Sequence, residues 1–189
     1  DELIANGIEP VCTLYHWEYP YELHKIGGWL NKDSSDWFLE YTKVVVDALS
    51  DRVSYWITIN EAQCELGCNY GHGSHAPFEK HIESDLFIMG SNIILSHGKA
   101  ADYIRKNAKK APKIGTAPMA PAHIPLDNSP EAIEKARELT FRNDSFPFCA
   151  SYWADPMFFG KFPDDIMEKY GSMIPEYTEE EWKLITTPL

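Results

Sequence analysis

Residues 53–61 read VSYWITINE, a nearly unbroken apolar run that ends in an amide and a carboxyl side chain. β-Branched and aromatic residues dominate the run, which is typical of a strand covered on both faces of a parallel sheet. A second apolar run, IEPVCTLY over residues 8–15, leads directly into His16, Trp17 and Glu18. Each predicted strand therefore delivers polar or aromatic side chains at its C-terminal end.

The segments around these strands have the apolar spacing of helices. Residues 36–50 place one apolar face along a helix, and Ser34 or Ser35 is the expected N-cap. Residues 85–109 predict a longer helix, which is followed by a third short strand, KIGTA, over residues 113–117. This alternation predicts an α/β fold with parallel strands joined by right-handed crossovers.

The rest of the chain is predicted to complete one domain over residues 1–189. Beyond the third strand we predict a helix over about 130–142 and shorter segments near 163–170 and 178–185. The opening DELIANG resembles the last turn of a helix before a glycine cap. We therefore expect further residues to precede it in the parent protein.

Composition narrows the classes of function. Hydrophobic residues make up 44% of the chain and charged residues 24%, so it can bury a core. The formal net charge is −12, and no basic stripe is present to neutralise phosphates, so we expect no nucleic-acid partner. No stretch approaches the ~20 apolar residues that cross a bilayer, so we expect no membrane partner. Scattered cysteines without a disulfide framework favour a reducing cytoplasm.

Glu61 is the first candidate for chemistry, because α/β barrels build their active sites at the C-terminal ends of strands. A carboxyl at the mouth of an apolar strand can keep its proton near neutral pH and then protonate a leaving group. Asn60 offers a donor and an acceptor for a substrate hydroxyl. On position alone, the two residues could equally begin a loop or cap a helix. His16 and Trp17 are open to structural roles in the same way.

A metal site is the alternative suggested by the residues that follow. Cys64, Cys68, His72 and His75 could together bind zinc, but their spacing does not match the paired CxxC pattern of structural zinc sites. Free cysteine more often behaves as a small buried hydrophobe. Nucleotide cofactors lack support, since neither GxGxxG nor GxxxxGK[ST] occurs.

Several motifs together resemble family 1 of the glycoside hydrolases. They are LYHWEYP at 14–20, GGWLN at 27–31, DRV at 51–53, TINEAQ at 58–63, GHGSHAP at 71–77 and WADP at 153–156. These are similar to the family runs TLYHWDLP, GGW.N, DRV..W.T.NEP, G.HAPG and W..DP. They occur in the family's order and span nearly the whole chain.

The resemblance implies a (β/α)8 barrel that hydrolyses β-linked glucosides or related small saccharides with retention, of which this chain carries roughly strands 3 to 5. It assigns Glu61 as the general acid/base. It makes His16 and Asn60 partners of the sugar hydroxyls, Trp17 part of the pocket wall, and Gln63 a residue that faces the leaving group. The His16–Trp17 pair is more similar to β-glucosidases than to 6-phospho-β-glucosidases. The resemblance implies no metal and no cofactor.

Some positions depart from the family pattern. Ala62 stands where the family usually has proline, Glu18 where it has aspartate, and Phe78 where it often has glycine. The family's nucleophile motif, TENG, is absent, so we expect the nucleophile outside this chain. Two alternatives stay open, namely an inactive barrel fragment and the metal-binding module. A partial sheet also leaves open edges, through which we expect possible self-association.

Overall fold

A computed structural model describes residues 1–188, and its centre is a parallel sheet of three strands in the order β1-β2-β3. The strands are β1 Val11–Tyr15, β2 Tyr55–Asn60 and β3 Lys113–Ala117. In register, Tyr15 lies opposite Ile59 and Asn60 opposite Ala117. The three predicted strands are confirmed, although β1 begins only after Pro10, whose nitrogen cannot donate to a ladder.

Helices surround the sheet and account for most of the remaining chain. They are α1 Glu2–Ala5, α2 Tyr21–Lys25, α3 Ser34–Leu49, α4 Ala62–Cys64, α5 Glu83–Asn107, α6 Pro130–Thr140, α7 Ser151–Phe159, α8 Asp164–Tyr170 and α9 Glu179–Ile185. A π-helical segment, Glu65–Gly71, continues directly from α4, and short 3-10 turns lie at Gly28–Leu30 and Gly171–Met173. The long helices predicted between the strands are confirmed within a few residues.

The predicted cap of α3 is wrong. Asp33 occupies the N-cap position without a side-chain hydrogen bond, and Ser34 and Ser35 are buried inside the helix. The Ser35 hydroxyl instead accepts a hydrogen bond of 2.9 Å from the Lys99 ammonium of α5. Ser35 therefore serves a contact between helices rather than the helix end.

Helix α5 is the central element of the core. It packs against α3 and against α9, and its buried face includes Phe87, Ile94 and Ile104. Gly98 lets the backbone of α9 approach closely, since a Cβ there would lie 2.7 Å from the main chain of Ile185. Within the described residues, α5 and every shorter helix lack an apolar stretch long enough to cross a membrane.

The two outer strands each have one neighbour. Among residues 1–188, β2 pairs on both sides, whereas β1 and β3 pair with β2 alone. The side chain of Val11, at the start of β1, is exposed. Both edges of this sheet are therefore open, which agrees with a partial barrel.

Candidate functional site

Residues at the C-terminal ends of β1 and β2 contact each other directly. The indole Nε1 of Trp17 donates to the main-chain oxygen of Asn60 at 3.0 Å. The Asn60 amide nitrogen lies 3.3 Å from Nε2 of His16. Because an amide nitrogen only donates, Nε2 of His16 accepts in this contact. The parallel register brings these residues together, since β1 and β2 end side by side.

Glu61 is held at the same edge by a backbone bond to the third strand. Its N–H donates to the Ala117 carbonyl at 2.7 Å, and its side chain is half-buried. Its backbone is left-handed, with φ 42° and ψ 59°, which costs a non-glycine residue on the order of 1 kcal/mol or more. Such strain persists where surrounding contacts determine the conformation, and it is common at functional sites.

Trp17 forms a wall beside this edge. It also has a left-handed backbone, with φ 82°. Its ring centroid lies 5.2 Å from that of His16 and 6.0 Å from that of His75. The wall therefore combines the residues that follow β1 with the loop 72–82, whose His75 was predicted above only as part of a family motif and of a metal site.

Gln63 has a different environment from the other candidates. It is fully buried, and its Oε1 accepts from the Met119 N–H at 3.3 Å. Its amide nitrogen has no partner among the described residues. The side chain lies beside a small apolar cavity that it shares with His97 and Trp153. The structure thus separates Gln63 from the open cluster of His16, Asn60 and Trp17.

Cys64 stands one turn after Glu61. Burial, followed by the charge of Glu61, raises the pKa of the Cys64 thiol to about 11. Cys64 is therefore a neutral thiol near neutral pH, not the thiolate that binds metals or attacks electrophiles.

Glu65 is the residue of this region that sequence reasoning missed. Its side chain is 1% exposed. Tyr15 Oη and Trp29 Nε1 donate to Oε1 at 2.7 and 3.1 Å, and the Asn69 amide donates to Oε2 at 2.7 Å. The i, i+4 spacing of residues 61, 65 and 69 was the available signal, because it places them along one side of a helix.

A network of histidines and carboxylates fixes the loop 72–82. Glu79 accepts from His24 at 3.1 Å and from His81 at 2.9 Å, while the other ring nitrogen of His81 lies 3.1 Å from Asp85. Carboxylate oxygens only accept, so His81 satisfies both contacts when both of its nitrogens carry protons. The network joins α2, the loop and the start of α5.

The alternative of a metal-binding module has no support in the structure. Within residues 1–188, no three His, Cys, Asp or Glu side chains are arranged to hold a metal ion. His72 stacks on Phe148 with ring centroids 5.9 Å apart, and His75 packs near Trp17. The two imidazoles therefore pack against aromatic rings instead of joining Cys64 and Cys68 in one site.

A parallel sheet with crossover helices and polar groups at the C-terminal ends of its strands is an α/β scaffold of the kind on which barrel proteins build their active sites. The chain belongs to glycosyl hydrolase family 1, since the model of that family matches residues 1–189. The resemblance seen in the motifs is thereby confirmed.

Similar proteins include several β-glucosidases. β-Glucosidase A of Acetivibrio thermocellus is 35% identical over 189 residues, which cover 99% of this chain and 40% of that protein. A crystal structure of the Trichoderma harzianum β-glucosidase superposes with a TM-score of 0.81 at 33% identity, covering 97% of this chain and 38% of that one. A rice β-glucosidase gives a TM-score of 0.83 at 28% identity, with 97% and 40% covered. The chain thus spans about 40% of the length of its curated relatives.

Proposed function

We propose that this chain is the segment of a retaining β-glucosidase that carries the general acid/base, Glu61. The observation that carries the proposal is the joint position of three groups at one sheet edge. Glu61 follows β2 directly, Asn60 ends β2, and His16 lies 3.3 Å from the Asn60 amide. The relatives named β-glucosidases support the substrate class, and one rice β-glucosidase variant is a covalent complex with glucose.

In this mechanism Glu61 acts twice. It first donates its proton to the glycosidic oxygen as the bond to the sugar breaks and a second carboxylate attacks the anomeric carbon. It then takes a proton from the water that releases the sugar from that carboxylate. A backbone bond from Glu61 to β3 holds the residue at the sheet edge during both steps.

The nucleophile is proposed to lie outside this chain. A retaining enzyme needs its two carboxyls ~5–5.5 Å apart. Glu18 accepts from the His16 N–H at 3.1 Å, and Glu65 is buried beneath Tyr15 and Trp29. Each of these two carboxylates therefore already accepts hydrogen bonds from neighbouring residues, and neither is proposed as the nucleophile. In a complete barrel, β1 to β3 would be strands 3 to 5.

The remaining candidates are proposed to bind the sugar. His16 and Asn60 would hydrogen-bond its hydroxyls, and Trp17 would pack against its ring. Gln63 is proposed to face the leaving group, although reaching it would require the side chain to leave its bond to Met119. A cytoplasmic location remains a prediction, which is supported by the free thiols at Cys12, Cys64, Cys68 and Cys149.

Hydrolysis of aryl β-glucosides tests the proposal. The chain would be assayed alone and after mixing with the complementary segment of a related family 1 enzyme, which supplies a second carboxylate. We expect hydrolysis only in the mixture. Glu61→Gln should lower the rate by about 10²–10⁴-fold for a poor leaving group, and much less for 2,4-dinitrophenol, which leaves without protonation.

Glu40→Gln is the matched control, because it removes an exposed carboxylate of α3 whose ion-pair partner among residues 1–188 is Lys43 alone. Equal rates for Glu61→Gln and Glu40→Gln would contradict the acid/base role. Hydrolysis by the chain alone that Glu61→Gln abolishes would keep that role and overturn the external nucleophile.

A further inference from the structure

Glu65 joins three separate parts of the chain through one carboxylate. Tyr15 is the last residue of β1, Trp29 belongs to the 3-10 turn after α2, and Asn69 lies one turn further along the π-helical segment. All three donate to Glu65 within 3.1 Å. A buried carboxylate with this many donors is satisfied only while these elements keep their relative positions.

The position of this carboxylate relates it to the site. Tyr15 directly precedes His16 and Trp17, and the Glu65 N–H donates to the Glu61 carbonyl at 3.0 Å. Glu65 is therefore one helical turn from Glu61, and its hydrogen-bond partner on β1 is one residue from His16. Within residues 1–188, the carboxylate of Glu65 accepts from Tyr15, Trp29 and Asn69, and none of these donors is His16, Asn60 or Glu61.

We propose, building on the function proposed above, that Glu65 is a positioning residue whose carboxylate holds the end of β1, with His16 and Trp17, against the turn that carries Glu61. The linkage runs from Glu61 through the helical backbone to Glu65 and then through Tyr15 to β1. It acts in addition to the direct bond between Trp17 and Asn60.

The protonation of Glu65 links this arrangement to pH. Burial raises the pKa of Glu65 to about 7, against the hydrogen bonds from Tyr15 and Trp29, and the charge of Glu18 adds to the rise. The other titratable groups that line the same 280 Å³ cavity are Tyr19, Tyr21, His24 and Tyr70. Above pH 7 the ionised Glu65 carboxylate accepts from all three donors, so it holds the end of β1 most strongly there.

The neutral form also finds a partner. Oδ1 of Asn69 is buried and accepts no hydrogen bond from the described residues. If the Asn69 amide rotates, this oxygen can accept the proton of a neutral Glu65. The carboxyl can therefore change its protonation state inside the fold: its bond with Asn69 reverses direction, and its hold on Tyr15 and Trp29 weakens.

The test follows the indole N–H resonances of Trp29 and Trp17 by NMR in the 189-residue chain between pH 5.5 and 8.5. We expect both resonances to shift with a common midpoint near 7, and we expect Glu65→Gln to remove that component from both. The difference between wild type and variant is diagnostic, because the imidazoles of His16 and His75 also lie against Trp17.

Asn92→Ala is the control for general loosening of the fold. Its amide donates to the Trp29 carbonyl at 2.7 Å and makes no hydrogen bond to Glu65. This variant should move the Trp29 resonance and leave the pH-dependent component of Trp17 intact. A Trp17 resonance that is the same in wild type and Glu65→Gln at every pH would overturn the proposal. If Glu65→Gln fails to fold, Tyr15→Phe decides instead: it removes the donor on β1, so it should abolish the pH-dependent component of Trp17 and keep that of Trp29, and an unchanged Trp17 component would overturn the proposal.

Kinetics separate this proposal from the proposed function. In a hydrolysing mixture, Glu65→Gln should lower kcat by up to ~100-fold with a smaller change in KM, as expected for misplaced catalytic groups. It should also flatten the pH profile near 7. Coupled Trp resonances without any hydrolysis would sustain the positioning role while the proposed enzyme activity fails.

Discussion

Trp17 and Asn60 belong to neighbouring strand ends and are joined by a 3.0 Å hydrogen bond from the indole nitrogen to the main-chain oxygen. This bond links a residue in a left-handed backbone conformation to the last residue of β2. It leaves the Asn60 amide free to reach His16. The indole therefore orders the strand ends as well as forming a wall of the candidate site.

Trp17→Phe should retain most of the ring surface and lose this hydrogen bond. The Asn60 carbonyl would then lack its donor, so we expect a loss of about 1 kcal/mol in the free energy of unfolding. Urea denaturation measures this loss. Trp182→Phe is the control, because within residues 1–188 the indole nitrogens that donate hydrogen bonds are those of Trp17, Trp29 and Trp153, and not that of Trp182. Equal losses in the two variants would mean that ring size, rather than the bond, determines the effect.

His97 should make the fold sensitive to acid. It is fully buried, its Nδ1 lies 2.7 Å from the Thr58 hydroxyl, and burial lowers its pKa to about 4. The unfolded chain binds the proton near pH 6.5, so stability is lost as the pH falls from 6.5 towards 4, by up to ~3 kcal/mol.

Urea denaturation between pH 7 and 4.5 checks this slope by comparing wild type with His97→Gln. The comparison is necessary because the raised pKa of Glu65 gives the opposite slope, with stability that increases as the pH falls from about 7. Parallel curves for the two proteins would show that His97 does not set the acid limit.

The network around His81 should stabilise the loop 72–82 mainly at mildly acidic pH. Burial opposes the charge of His81, but the hydrogen bonds that His81 donates to Glu79 and Asp85 outweigh this effect and raise the pKa of His81. The stabilisation that charged His81 contributes is complete below its pKa in the unfolded chain, near 6.5. It is lost as the pH rises through the raised pKa of His81 in the folded chain.

His81→Gln should therefore destabilise the chain at pH 6 and have little effect at pH 8.5. The side chain is partly exposed, so we expect a difference of at most ~1 kcal/mol, as for other exposed ion pairs. Unfolding curves at the two pH values measure it. A loss that is the same at both would assign the effect to packing against Tyr70.

Gly98→Ala should weaken the contact between α5 and α9. The added Cβ would lie 2.7 Å from the main-chain N and Cα of Ile185, which cannot rotate away as a side chain would. We expect a loss of ~1–3 kcal/mol in the free energy of unfolding. Gly115→Ala is the comparison, because its Cβ would meet only the Ile57 side chain at 3.8 Å. A smaller loss at Gly98 than at Gly115 would be inconsistent with this packing.

The open edge of β1 should promote self-association. Exposed main-chain groups of an edge strand pair readily with other chains, and Val11 on this strand is exposed. Val11→Lys should shift the chain towards monomer in light scattering at increasing concentration. Val44→Lys adds the same charge to the exposed face of α3 and should not. A wild-type chain that stays monomeric would rule out pairing at this edge.

Patterns that depend on neighbouring residues were readable from the sequence. Apolar runs ending in His16 and Asn60 predicted β1 and β2 and the edge at which they meet. Helix α7 was not predicted, because Pro156 inside it interrupts the usual helical signal. The burial of Glu65 could not be predicted from the sequence either, because its carboxylate is covered by Tyr15 and Trp29, which are distant in the chain.

The bond from the Glu61 N–H to Ala117 extends the β2–β3 ladder by one rung beyond the last residue of β2. The acid/base candidate therefore takes its stiffness from the sheet rather than from the loop that follows it. A design that grafts this carboxyl onto another protein would need to include β3 as well as β2. The smallest segment that keeps the Glu61 backbone fixed is therefore a pair of strands, although Glu61 itself follows only one of them.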